Sequence, residues 1–314
     1  MPALITHHLF GEESLTKLPE GVLQSEEERC AFILGNQGPD PFFFRFSTPH
    51  IQDCMHLAQV MHRSRMTKTF AALRSGVEYL QPSDSNLGRA FVLGLLSHYV
   101  LDRNAHPFVY DQQFGIIKAD PSLDEASSQV HAIIESDLDV LMLQIKRRGA
   151  TTAEYPPAQE LATTDHINRV AGALMCYVAQ SVYDLEVPTN EYGGAVANMQ
   201  LLYKAIEPAG APISTVLGTI EGLSGRYSLL TALAHRVTSE PPTRTGNLEH
   251  LTWENPFTNA PSSKSFPEVF DAALEDYRIT AARFIDGESL ESVTNHINYS
   301  GRPLGQDEEF DREE

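Results

Sequence analysis

The chain has 314 residues, 42% of them hydrophobic and 21% charged, a composition ordinary for a soluble globular protein. Its 42 acidic and 23 basic side chains leave a net charge of −19, which argues against phosphate-backbone binding as the main task, because nucleic acid wants a basic face. The same balance offers anionic lipid no polybasic patch, and acidity of this size serves solubility.

The opening "MPALITHHLFGEESL" has neither a basic n-region nor an apolar h-region, so it does not read as a signal peptide. No run approaches the ~18 apolar residues of a membrane span. Cys30, Cys54 and Cys176 lack CxxC spacing, which points to a reducing compartment and no disulfide framework. The expectation is a soluble, cytoplasmic protein.

"GNQGPDPFFFRFSTPH" at 35–50 combines Gly, Pro and Phe, so it reads as an irregular loop folded back onto the core. From 51 to 80, Met55, Ala58, Met61, Met66, Phe70 and Leu73 recur at helical spacing. "PSDSNLG" at 82–88 is a turn with N-cap candidates. The next helix is expected from about Leu87 to Asn104, with Pro107 ending it soon after His106. Another helix is expected from Ser122 to Arg148, and further ones over 163–184, 190–206, 213–236 and 266–284. The stretch 239–265, which holds the only tryptophan, Trp253, reads as either an ordered lid or a plain linker. Strand-like alternation is nearly absent, so the class is all-α. The expected organisation is a helical core over 1–150, a helical region over 151–300 completing the same domain, and a frayed acidic tail over 301–314.

Eight of the twelve histidines fall in the first 131 residues: His7, His8, His50, His56, His62, His98, His106 and His131. In "LLSHYVLDRNAHPF" at 95–108, His98, Asp102 and His106 follow one another at four-residue steps, which puts them on one helix face. Their neighbours are apolar, so the helix is mostly buried. A buried Asp beside two imidazoles costs several kcal/mol unless something pairs it. A hydrogen-bonded Asp–His network would do that without metal. A divalent ion would also do it, since imidazole nitrogen and carboxylate oxygen are the usual zinc donors where thiolates are missing. "HAIIESDLD" at 131–139 repeats the spacing with His131 and Glu135, which favours the metal; Asp139 continues that row as a supporting or solvated group. Asp40 in "QGPD" gains meaning only beside these pieces, because an Asp after Gly-Pro is ordinarily a turn residue.

The order of "THHLFGEE", "GNQGPDPFFF", "HLAQVMHRSRMTKTF", "GLLSHYVLDRNAHPF" and "HAIIESDLD" resembles the zinc-dependent phospholipase C family, with "WENPF" and "SKSFPEVFDAALE" looking like its cytoplasmic bacterial members. The resemblance implies an all-α, multi-helix phospholipase C-like fold around two or three Zn(2+) ions that hydrolyses a phosphodiester. It implies that Asp40, an upstream histidine, His98 and Asp102 hold one zinc. His106, His131 and Glu135 hold a second. His7, or its neighbour His8, holds a third with Asp102 as a bridge. His62 matches the cytoplasmic members and His50 the spacing of the secreted ones; His56 faces solvent or core. The secreted enzymes also use the amine of an N-terminal tryptophan, whereas this chain starts at Met1.

Asp40 is then the expected ligand or general base. Phe42, Phe43, Phe44 and Phe46 form either an apolar wall for the substrate or core packing. The substrate implied is a phospholipid or another small phosphodiester. The alternatives are a nuclease of the same zinc fold, disfavoured by the acidity and the single tryptophan, and an inactive zinc-stabilised scaffold that binds a partner. The sequence leaves the oligomeric state open.

Overall fold

The computed structural model describes residues 4–207 and 229–309. The elements in chain order are α1 (Leu4–Leu15), α2 (Glu26–Gly35), a 3-10 turn (Asp40–Phe44), α3 (Ile51–Arg63), α4 (Met66–Tyr79), α5 (Ser85–Ala119), a second 3-10 turn (Pro121–Ala126), α6 (Ser127–Lys146), a third (Pro157–Gln159), α7 (Asp165–Tyr183) and α8 (Glu191–Ile206). After them come α9 (Leu229–Leu233), a two-residue hairpin of β1 (Trp253–Glu254) and β2 (Pro261–Ser262), α10 (Phe266–Ile285), α11 (Leu290–Thr294) and α12 (Gln306–Glu309). The protein is all-α, and among the described residues no helix is long and apolar enough to cross a membrane.

Helix α5 is the axis. It packs against α1, α2, α4, α6, α7 and α10. Its core-facing run includes Phe91, Leu95, Leu96, Tyr99 and Val100, all at most 1% exposed. Small residues let α2 lie close: a Cβ on Gly35 would meet the Phe91 carbonyl oxygen at 2.2 Å, and one on Gly94 would meet that of Phe32 at 2.0 Å. This approach brings the end of α2 and the residues after it against the middle of α5. From the other side α10 is tied on by Arg103, whose guanidinium reaches Asp276 at 2.8 Å.

Two expectations are corrected. Pro107 does not end the helix; α5 continues to Ala119. Proline in a helix interior costs about 3 kcal/mol by removing one N–H and crowding the carbonyl four residues back. Here the burial of α5 on both sides of Pro107 offsets that cost. The carbonyl in question, on Arg103, lies against Gly301, a residue at φ +78 with no Cβ to collide with it. The stretch 51–80 is two helices rather than one. Ser64 is extended and Arg65 takes a left-handed conformation at φ 60, so α3 stops and α4 starts anew.

Elsewhere the helices expected over 163–184, 190–206 and 266–284 stand as α7, α8 and α10. Thr164 caps α7 by accepting from the Ile167 N–H, and Ser265 with Glu268 forms a capping box on α10. Most of the helix expected over 213–236 lies outside the described residues. The segment 239–265 is not a plain linker: Trp253 packs edge-on to Phe108 with ring centroids 5.4 Å apart. Nor is the described part of the tail frayed, since α12 buries Glu309.

Candidate metal centre

The three i, i+4 residues of α5 point one way because four residues make just over one turn. His98, Asp102 and His106 are at most 7% exposed. Helix α6 lies alongside and turns His131 and Glu135 toward them. Helix α1 brings His7 from the other side: its Nε2 is 3.1 Å from Asp102 Oδ1, and its ring stacks on that of His98 at 4.1 Å.

Asp40 arrives through the turn after α2. Gly38 sits at φ +57 with no side chain; a Cβ there would stand 2.3 Å from the His98 ring. The turn is clamped to α8, where the Tyr192 hydroxyl donates to the Gly38 carbonyl at 2.9 Å and Glu191 pairs with Arg45 at 2.7 Å. Asp40 is buried, with Oδ1 3.0 Å from Nε2 of His62, the last-turn histidine of α3.

Each of four histidines is held by its Nδ1. His98 is 3.1 Å from the Asn36 carbonyl, His106 2.8 Å from that of Tyr299, His62 2.6 Å from that of Ala58, and His131 2.8 Å from the Gln113 side-chain oxygen. A carbonyl oxygen only accepts, so Nδ1 carries the proton and Nε2 is left with a lone pair. Those four Nε2 atoms face carboxylates. The distances are 3.4 Å from His98 to Asp102, 3.5 Å from His106 to Glu135, 3.2 Å from His131 to Glu135, and 3.0 Å from His62 to Asp40.

A lone pair facing a carboxylate at such a distance calls for a cation between them, a proton or a metal ion. Two ligands bonded to zinc at about 2.0–2.1 Å in tetrahedral geometry lie about 3.3 Å apart. The observed spacings bracket that value. Ligand atoms of His7, Asp40 and His98 lie within 4.8 Å of one another, as do those of His62, His98 and Asp102, and those of His106, His131 and Glu135. His98 appears twice, and its Nδ1 is committed to Asn36. Its Nε2, buried with no hydrogen-bond partner, therefore serves one ion. The donor set of imidazoles and carboxylates, oriented by carbonyls behind it, suits zinc.

The electrostatics agree. Among the described residues, the ion-pair partners of Asp40 and Asp102 are histidines. Burial alone would raise the Asp102 carboxyl, but His106, His98 and His7 hold it well below the usual carboxylate range. Glu135 and Asp40 are likewise held low against the effect of burial, by His131 and His106 and by His98 and His62. Burial pushes His98 down to about 3 and lowers His131, so both are neutral at pH 7, the form in which an imidazole could bind a metal ion. His106 is raised to about 9 by Asp102 and Glu135 despite burial, and a metal ion there would displace its proton.

The structure thus brings together His7, Asp40, His62, His98, Asp102, His106, His131 and Glu135. It does not bring in His8, which pairs with Glu160 at 2.6 Å and Glu12 at 3.6 Å on the outer side of α1. His50 precedes α3 and belongs to none of the three groups, and His56 is exposed. The four phenylalanines are not one wall: Phe42 and Phe44 are core, Phe46 is half-exposed, and Phe43 alone borders the centre, 5.6 Å from the His62 ring. Tyr299, missed in the sequence, lies across the centre with its ring 4.7 Å from His62 and 5.6 Å from His98. Gln113 was also missed, although its place seven residues after His106 on the same helix face was a usable signal.

Residues 6–175 match the family model for zinc-dependent phospholipase C. No curated protein and no solved structure matches the chain. The match takes in all eight clustered residues and ends before Tyr299.

Proposed function

The chain belongs to the zinc-dependent phospholipase C family, and from that premise we propose that it is a zinc-dependent hydrolase of phosphodiester bonds with a phospholipid as its substrate class. One observation carries the reading: four imidazole lone pairs, each fixed from behind, converge on three buried carboxylates. His62, His98, Asp40 and Asp102 would hold one ion and His106, His131 and Glu135 a second. His7, bonded to Asp102, offers a place for a third. Bound zinc would lower the pKa of a water molecule toward neutrality and neutralise charge on the phosphoryl oxygens.

The chain's own groups supply the orientation. The carbonyls of Asn36, Ala58 and Tyr299 fix the imidazoles, and burial keeps bulk water from competing for the carboxylates. We assign Asp40 to holding an ion rather than to taking a proton. Its carboxyl lies below the ordinary range, and a general base works best with a pKa near the operating pH. Phe43 borders His62 on one side, as Tyr299 does more closely, and gives the substrate an apolar contact there.

The test is metal analysis of the purified chain, followed by assays on phosphatidylcholine and simple phosphodiesters. Zinc together with chelator-sensitive headgroup release supports the proposal. A zinc-loaded protein inert toward all of them supports the scaffold alternative.

A further inference from the structure

We propose that Asp139 and His235 are a positioning pair that seats His7 in the metal centre by gripping the first turn of α1. The inference rests on the zinc reading above. Helix α6 carries His131, Glu135 and Asp139 in one row at four-residue steps. The first two face His106. The third, 0% exposed, reaches α1 instead: its Oδ2 accepts the Ile5 N–H at 2.9 Å and its Oδ1 accepts the Thr6 N–H at 2.7 Å. Amides in the first turn of a helix have no acceptor within the helix, so these two bonds fix where the helix begins. They also place a negative charge at its positive end. Both Asp139 oxygens are thereby committed.

The grip is itself held. Nε2 of His235 lies 3.0 Å from Asp139 Oδ2, and its Nδ1 lies 2.6 Å from Glu207 Oε1. The backbone N–H of His235 donates to the same Glu207 oxygen at 2.9 Å. The His235 ring stacks on Tyr203 at 6.0 Å, and Tyr203 packs against Phe44 at 6.1 Å, at the end of the turn that carries Asp40. The residue directly after the two gripped amides is His7. A shift of α1 would carry its imidazole away from Asp102 and His98. His235 lies beyond the family-matched stretch, so this support comes from the chain's own C-terminal part.

The experiment titrates the chelator-stripped full chain with zinc under native mass spectrometry and with cobalt under visible absorption. The variants are His235→Ala, His235→Gln and, as reference, His7→Ala. Expected is a loss of roughly 10–100-fold in affinity for one ion in His235→Ala, the size typical of removing a group that orients a ligand. Its cobalt spectrum should resemble that of His7→Ala, with the ion at His106, His131 and Glu135 retained. His235→Gln, which keeps an N–H for Asp139, should recover most of the affinity. If His235→Ala does not fold, Asp139→Asn, which keeps the side-chain shape, gives the same comparison. Zinc affinity and cobalt spectrum unchanged from wild type in His235→Ala, or in Asp139→Asn, would overturn the inference and leave the zinc reading standing. A wild type that binds no zinc would overturn both.

Discussion

Asp40 shows how one side chain's surroundings set its task. Its Oδ1 lies 3.0 Å from Nε2 of His62, and the carboxyl stays ionised. Asp40→Asn keeps the shape and removes the charge. Zinc content and phosphodiester hydrolysis should fall together, the rate by at least about 10²-fold, comparable to losing an acid–base group. Metal analysis with a rate assay checks this; full zinc with lost activity would assign Asp40 to proton transfer instead. His235 gives a pH prediction. Burial lowers its pKa, but hydrogen bonds to Asp139 and Glu207 prevail and hold it at about 9, above its ordinary 6.5. Its contribution is fully present below about pH 6.5 and is lost as pH rises through about 9, on the order of 3 kcal/mol. Denaturant melts of the chelated protein should therefore lose stability over that window, and His235→Gln should lose less. Equal slopes would contradict the assignment. The clustered side chains of α5 and α6 were legible in the sequence because i, i+4 spacing is periodic, whereas His7, Asp40 and His62 were reached only through the family resemblance. The carbonyls of Asn36, Ala58 and Tyr299 were not, since every residue has one and only the fold selects which faces an imidazole.

Among the elements, the least expected joint is the one between α3 and α4. Nothing in the apolar spacing over 51–80 marks a break, yet Arg65 turns left-handed and its N–H donates to the Glu308 carbonyl at 3.1 Å. The reason lies at the far end of the chain. Glu309, 1% exposed, accepts the N–H groups of Met66 at 2.9 Å and Thr67 at 2.7 Å, and also the Thr67 hydroxyl. It caps α4 from 243 residues away, an arrangement no local pattern encodes. Glu309→Ala should cost about 1–2 kcal/mol, the range for loss of an N-cap, and should appear as a lower denaturation midpoint with unchanged zinc content. No change in midpoint would mean that α4 is held by packing alone. Pro107 failed as a stop signal for a related reason: buried faces on both sides of it kept α5 going.

For the molecule as a whole, the net charge of −19 would set how it meets a lipid surface under the proposed function. Like charges repel across about 10 Å at 0.1 M salt. Hydrolysis of zwitterionic vesicles should therefore exceed that of anionic vesicles, with the gap narrowing as salt is added; faster hydrolysis of anionic vesicles at low salt would contradict this. The all-α class and the helices that carry the clustered histidines and carboxylates were legible because hydrophobic periodicity and the i, i+4 spacing share the same 3.6-residue turn. The way α1, α5 and α6 converge was not, because it depends on contacts such as Asp139 to Ile5, 134 residues apart. That convergence is the central claim, and zinc content combined with thermal stability tests it most directly. The purified full chain should carry at least two zinc ions, and each ion near 1,000 Kd adds about 4 kcal/mol to the folded state. Stripping with a chelator should lower the melting temperature by several degrees, and added zinc should restore it. A chain that purifies without zinc and melts at the same temperature with or without chelator would contradict the account.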